Sequence, residues 1–131
     1  MLTTELKTQI RQSFEAAKNG MPDFKIRHAQ NKMIAEVSKT LSGEYPDSNP
    51  ILCVEAPTGT GKTMAYLLSA IPIAKARKKK LIVSSANVAL QEQLLNKDIP
   101  ELQKYCSIDF EYALVKGRSR YVCVRNLINL V

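Results

Sequence analysis

Ala56-Pro57-Thr58-Gly59-Thr60-Gly61-Lys62-Thr63 decides the reading of this chain, because it joins a short apolar run, Ile51-Leu52-Cys53-Val54-Glu55, to a long apolar segment that starts at Lys62. The octapeptide fits the phosphate-binding Walker A pattern with Ala56 in place of the first glycine, in the strand-to-helix context that the pattern requires. Gly59 and Gly61 let the backbone turn so that successive N–H groups point inward at phosphate oxygens, at the positive end of a helix dipole. Lys62 adds a point charge for the β and γ phosphates, and the Thr63 hydroxyl is placed to ligate magnesium. The expectation is a cradle for a nucleoside triphosphate and its Mg2+ ion. The alternative is a glycine-rich turn carrying Gly-Lys-Thr by chance, and the flanking strand and helix argue against it.

Binding alone is not hydrolysis, which needs an acidic residue on another strand to hold magnesium and orient water. After the loop no hydrophobic run is followed by adjacent Asp-Glu, and Asp109 and Glu111 read as exposed. The hydrolytic half of such a site is therefore missing from these residues.

Outward from the loop, Ile51–Glu55 is bounded by Pro50 and the glycine-rich turn, as a buried parallel strand should be. Residues 62 to about 76 are apolar nearly all round, predicting a buried helix that Pro72 should kink or leave with an unsatisfied carbonyl. Leu81-Ile82-Val83-Ser84-Ser85 reads as a second strand, Asn87 as the cap of a helix reaching about Asn96, and Pro100 as the opening of another that ends near Tyr105. Residues 110–115 alternate like a third strand, and a last helix is expected near Cys123. Toward the N-terminus, Leu2, Leu6, Ile10 and Phe14 mark one face of a helix ending near Gly20. A second helix is predicted from about His28 to Leu41, with Met33, Ile34, Val37 and Leu41 inward, before the loop Ser42–Pro50. Strands alternating with helices predict an α/β fold with a parallel sheet flanked by helices.

With 131 residues, 45% hydrophobic and 24% charged, the chain has room for one globular domain and is far from disorder. The net charge of +7 favours polyanionic partners without choosing among them. Lys75 and the basic run Arg77–Lys80 fit a nucleic-acid patch, but cations that offset a helix dipole are the favoured reading. No secretory h-region or membrane-length apolar stretch is present, so a cytoplasmic protein with no membrane partner is expected. The 3 cysteines, Cys53, Cys106 and Cys123, argue against a disulfide framework, leaving free thiols or part of a metal site. Their mutual spacing matches no compact ligand pattern, and Cys53 reads as a small buried hydrophobe in its strand.

Val54–Thr63 resembles the phosphate loop of superfamily 2 helicases, whose domains are RecA-like P-loop NTPases. Arg27-His28-Ala29-Gln30, about 30 residues before Lys62, is similar to the RxxQ element of DinG-like and XPD-like helicases. There the glutamine reads the adenine edge, which implies that role for Gln30 and a nucleotide contact for Arg27. A glutamine amide carries both the donor and the acceptor that adenine requires, although by composition alone Gln30 reads as a surface residue. Residues 84–94 resemble motif Ia of the same helicases, implying single-stranded DNA beside Ser84, Ser85 and Asn87. A plain helix N-cap is the competing local reading.

Gly117-Arg118-Ser119-Arg120-Tyr121-Val122-Cys123 resembles the GRxxYxC stretch that supplies the first ligand of the 4Fe-4S cluster in these families. The likeness carries over to Cys123 alone, whereas such a cluster needs four ligands.

The resemblance implies the N-terminal part of an ATP-dependent, 5′-to-3′ DNA helicase. Residues 1–50 would be a helical lead-in with the adenine element, and 51–131 a truncated P-loop core reaching the first cluster cysteine. Lys62 and Thr63 are the expected catalytic contacts, the remaining helicase domains are missing, and the isolated chain is not expected to unwind DNA. A stand-alone P-loop ATPase or kinase, or a non-enzymatic nucleotide-binding module, are the rival classes.

Overall fold

The computed structural model describes residues 2–22, 24–45 and 50–128. Part of the expected Ser42–Pro50 loop, and the last residues of the expected core, lie outside these. The first helix, α1 (Thr4–Gly20), starts where the Thr3 hydroxyl accepts a hydrogen bond from the Leu6 N–H at 3.3 Å. It buries Ile10 and Ala17, while Leu2, Leu6 and Phe14 pack on the margin of the same core, as the four-residue spacing predicts. Phe14 stacks edge-on against Phe24 with ring centroids 5.6 Å apart.

Helix α2 (His28–Ser42) lies against α3 (Lys62–Ala76), which also contacts α1. The buried face of α2 differs from the apolar stripe expected of it. Gln30, Ile34 and Ser38 are buried, whereas Leu41 is exposed. Small hydroxyls let the two helix backbones approach: Ser38 Oγ donates to the Ile34 carbonyl at 2.7 Å, and Ser69 Oγ of α3 lies 3.2 Å from that same oxygen and 2.7 Å from the Ala65 carbonyl. A periodicity count of apolar residues cannot find a contact made by serines.

As expected, α3 is buried almost all round, with Leu68 wholly inaccessible. The helix runs unbroken through Pro72, which cannot supply the N–H that the Leu68 carbonyl would otherwise accept.

The two helices expected on either side of Pro100 are instead one continuous helical run. It comprises α4 (Val88–Gln93), a π-helical turn (Leu94–Asp98) and α5 (Ile99–Tyr105). The wide turn, closed by Ile99 N–H donating to Leu94 O, gives the proline ring room that a regular α-turn would deny it. A 3-10 turn (Arg118–Arg120) and α6 (Val124–Ile128) complete the described elements.

No β-strand is formed among the described residues, so the expected parallel sheet is not seen in this structure. Residues 51–57, 79–85 and 107–117 are non-helical but join in no ladder. Their apolar side chains stand in solvent: Ile51, Ile82 and Val115 are 75%, 88% and 80% exposed. Local sequence can keep a segment out of a helix, but a ladder needs partner backbones about 4.8 Å away on each side. The helices here bury themselves against one another.

Helices α2 and α3 end in the same hydrogen-bond pattern with different residues at the left-handed position. Gly43 (φ 70°) ends α2, with Gly43 N–H bonding Thr40 O and Glu44 N–H bonding Lys39 O. Lys78 (φ 52°) ends α3, with Lys78 N–H bonding Lys75 O and Lys79 N–H bonding Ala74 O. A lysine at this position bears the steric cost that glycine avoids. Lys78→Gly is expected to stabilise the fold by about 1 kcal/mol, and Gly43→Lys to destabilise it by a similar amount. Urea unfolding of both variants checks the pair.

Candidate nucleotide-binding site

The loop before α3 closes on its own backbone. Pro57 O accepts from Thr60 N–H at 3.4 Å and from Thr60 Oγ1 at 2.7 Å, so the Thr60 hydroxyl is turned inward and the residue is buried. Gly59 and Gly61 have φ of 82° and 80°, the left-handed values that the sequence demanded of glycine. Gly61 is also the N-cap of α3, and its carbonyl accepts the first helical bond from Ala65 N–H at 3.0 Å. The N–H groups of the first turn of α3 have no partners within the helix and face the loop.

Lys62 Nζ donates to Ala56 O at 2.7 Å and Pro57 O at 3.1 Å. The ammonium rests on the loop's carbonyls, where its charge is compensated, and it must leave them to meet a phosphate. Thr63 follows it on α3. Tyr66, one turn further on, faces the Thr63 hydroxyl: burial pushes the Tyr66 phenol up, the Thr63 hydroxyl draws it partly back, and Asp98 adds a smaller upward push. Burial first, then Glu101, holds the Asp98 carboxyl above the usual carboxylate range. Tyr66 was not anticipated, although a phenol three residues after a threonine on a helix necessarily shares its face.

Gln30 lies on the loop as well. Its residue is 2% exposed, its Nε2 donates to Gly61 O at 3.1 Å, and its Oε1 is buried without a partner. The surface position expected from composition is therefore incorrect. Arg27, the N-cap of α2, is exposed and bonds the Lys25 carbonyl at 3.4 Å, so it is not brought to the loop with Gln30.

Ser84, Ser85 and Asn87 lie on the approach to α4. Asn87 caps that helix, its Oδ1 accepting from Leu90 N–H at 2.9 Å, and Ser85 Oγ donates to Asn87 O at 3.3 Å. The N-cap reading thus describes Asn87 in this structure. Further on, the Tyr121 hydroxyl accepts from Lys116 N–H at 2.9 Å and closes the Gly117 segment, and Arg120 reaches Gln91 Oε1 of α4 at 3.3 Å.

Cys123 is exposed just before α6. Among the described residues no three His, Cys, Asp or Glu side chains gather in a way that could hold a metal ion. One thiol does not make a four-ligand cluster site, so no cluster is accommodated by the donors present. Cys53 is exposed rather than buried as expected, because its segment has no sheet around it.

A model of the DEAD/DEAH box helicase family matches residues 27–129, the span from Arg27 beyond Cys123. The chain belongs to that family. This DEAD/DEAH box chain is 46% identical over 127 residues to the ATP-dependent DNA helicase DinG of Photobacterium profundum. It is 48% identical over 129 residues to the protein of that name from Escherichia coli (strain K12). The matches cover 97% and 98% of the chain, which spans 18% of each relative's length. Family membership implies a RecA-like P-loop fold and disfavours the kinase alternative. No helix among the described residues is long and apolar enough to cross a membrane.

The three thiols differ in a measurable way. Cys106 is wholly buried at the end of α5, and burial, with a smaller push from Glu101, raises its thiol from 9.0 to about 11. Ellman's reagent is expected to modify Cys53 and Cys123 in the folded chain and Cys106 only after denaturation. Because the folded value lies above the unfolded one, the stability due to a protonated Cys106 is complete below pH 9 and is lost as pH rises toward 11. Cys106→Ala should flatten that alkaline loss in pH-dependent urea titrations.

Proposed function

We propose that the chain is the nucleotide-binding face of an ATP-dependent DNA helicase, holding ATP-Mg through Ala56, Pro57, Thr58, Gly59, Thr60, Gly61, Lys62 and Thr63. The observation that carries this reading is the left-handed pair Gly59 and Gly61 at the start of α3, with Lys62 and Thr63 in its first turn. A phosphate chain entering the loop meets helix N–H groups and draws the Lys62 ammonium from the Ala56 and Pro57 carbonyls. The Thr63 hydroxyl is the ligand this chain offers to magnesium, which when bound neutralises charge on the β and γ phosphates. Gln30, with its buried unpartnered oxygen, offers an acceptor to the adenine amino group. Arg27 is assigned to the nucleotide by resemblance alone.

In the longer protein, Ser84, Ser85 and Asn87 border the path of single-stranded DNA, and Cys123 supplies one thiolate of a 4Fe-4S cluster. Residues 51–55, 81–85 and 110–115 pair into a parallel sheet there, and ATP hydrolysis drives 5′-to-3′ movement. The relatives' name and the order of the matching segments along the chain support these assignments.

Titration with a fluorescent ATP analogue is expected to show magnesium-dependent binding. Lys62→Ala should weaken it about tenfold to a hundredfold through loss of charge-assisted bonds. Thr63→Ala should chiefly remove the magnesium dependence. The 131-residue chain is expected to bind nucleotide without displacing a strand from a forked duplex, and ATP-dependent unwinding by it alone would refute the assignment.

A further inference from the structure

Helix α3 ends in more positive charge than its own terminus uses. Lys75 lies in the last turn, where a cation offsets the helix dipole, and its Nζ donates to the Asp109 carbonyl. The last carbonyls are closed by backbone groups. Arg77 N–H donates to Ile73 O at 3.1 Å, while Lys78 N–H donates to Lys75 O and Lys79 N–H to Ala74 O, each at 2.9 Å. The side chains of Arg77, Lys78, Lys79 and Lys80 are not needed there, and all of them are exposed. Among the described residues the ion pairs belong to Lys7, Lys18 and Lys39, so the run has no carboxylate partner. The dipole reading that the sequence favours therefore accounts for Lys75 alone.

Two further features set the run apart from an ordinary solvated face. Lys78 holds a φ of 52°, a conformation that glycine adopts at lower cost, so the backbone gives no reason for a lysine there. Lys79 and Lys80 lie past the helix on the non-helical segment 79–85, which leads directly to Ser84, Ser85 and Asn87. From Lys80 to Ser84 the chain reaches at most about 14 Å. No aromatic residue stands between Arg77 and Asn87, so this stretch offers charge and small polar groups but no surface on which a base could stack.

We propose that Arg77, Lys78, Lys79 and Lys80 bind the phosphate backbone of a single-stranded nucleic acid, in a contact that is separate from the nucleotide site and reads charge rather than sequence. The strand assigned above to Ser84, Ser85 and Asn87 passes within reach of the run, and the choice of nucleic acid among polyanions rests on that assignment. The nucleotide site lies at the other end of α3, where 15 residues of helix put it about 22 Å away. Salt largely screens exposed charges over such a distance.

Fluorescence anisotropy of a labelled oligothymidylate tests the contact on the full chain over a series of salt concentrations. Wild type is compared with Lys78→Gly and with the triple variant R77Q/K79Q/K80Q, and ATP-Mg affinity is measured alongside. Lys78→Gly removes a charge while relieving the positive φ, so a loss of affinity in it cannot come from unfolding. At low salt it is expected to weaken the oligonucleotide about twofold to threefold, and the triple variant about tenfold. The plot of log affinity against log salt should become shallower by about 0.7 for each phosphate contact removed. ATP-Mg affinity should stay within about twofold of wild type in both variants.

Oligonucleotide affinity and salt slope unchanged in both variants would overturn the proposal and leave the reading of Ser84, Ser85 and Asn87 standing. Wild-type chain that binds no oligonucleotide removes both. An equal loss of ATP-Mg affinity would make the effect one of overall charge and also overturn it. Polyglutamate of matched charge that binds wild type as tightly, and weakens as much in the variants, would assign the run to an acidic peptide instead. Should the triple variant not fold, Lys78→Gly decides by the same criteria.

Discussion

The Gly61 carbonyl is the point on which the first half of the molecule converges. It caps α3 by accepting from Ala65 N–H, and it receives the Gln30 amide from α2, so one oxygen joins two helices and the phosphate loop. Only glycine meets the conditions there, a φ of 80° and open space where a Cβ would strike the Gln30 side chain. The serine seam deeper in the same interface, where Ser38 and Ser69 both reach the Ile34 carbonyl, lets α2 come close enough for that contact. Hydrogen bonds that would be marginal on the surface gain weight here because the groups are buried and would be costly to leave unpaired.

Around this junction the helices form the core, with Leu68 of α3 and Leu102 of α5 wholly inaccessible. The extended segments at residues 51–57 and 79–85, which flank α3, contribute little to that core and expose Ile51, Leu52, Ile82 and Val83. Apolar segments so placed are ordinary in a sheet that has partners on both edges and helices on both faces. They also agree with a chain that spans 18% of the relatives it matches. The junction of loop and helix is thus well determined by local packing, whereas these segments form no sheet among the described residues.

A second junction links the later motifs. Arg120 reaches Gln91 on α4, and Tyr121 closes the turn that leads to Cys123, so the segment resembling the cluster-binding stretch is attached to the segment resembling motif Ia. Both bonds are exposed, and neither is strong. Cys123 is exposed, whereas Cys106 lies buried at the end of α5.

The phosphate loop, the face of α1, the buried character of α3 and the position of Gly20 and Asn87 at helix boundaries were all legible in the sequence. Each depends on residues adjacent or a few positions apart: left-handed glycines, capping side chains and a helical repeat of apolar groups. The glutamine motif pointed to Gln30 as a nucleotide contact. That it is buried on Gly61, with its nitrogen spent and its oxygen free, depended on how α2 crosses α3, a matter of serines that no hydrophobic pattern records. The exposure of Cys53, the single helical run across Pro100 and the unpaired state of the predicted strands were likewise decided in three dimensions. The division has one physical reason. Turns and helices close their hydrogen bonds within a few residues of themselves, whereas sheets and side-chain clamps take their partners from distant parts of the chain.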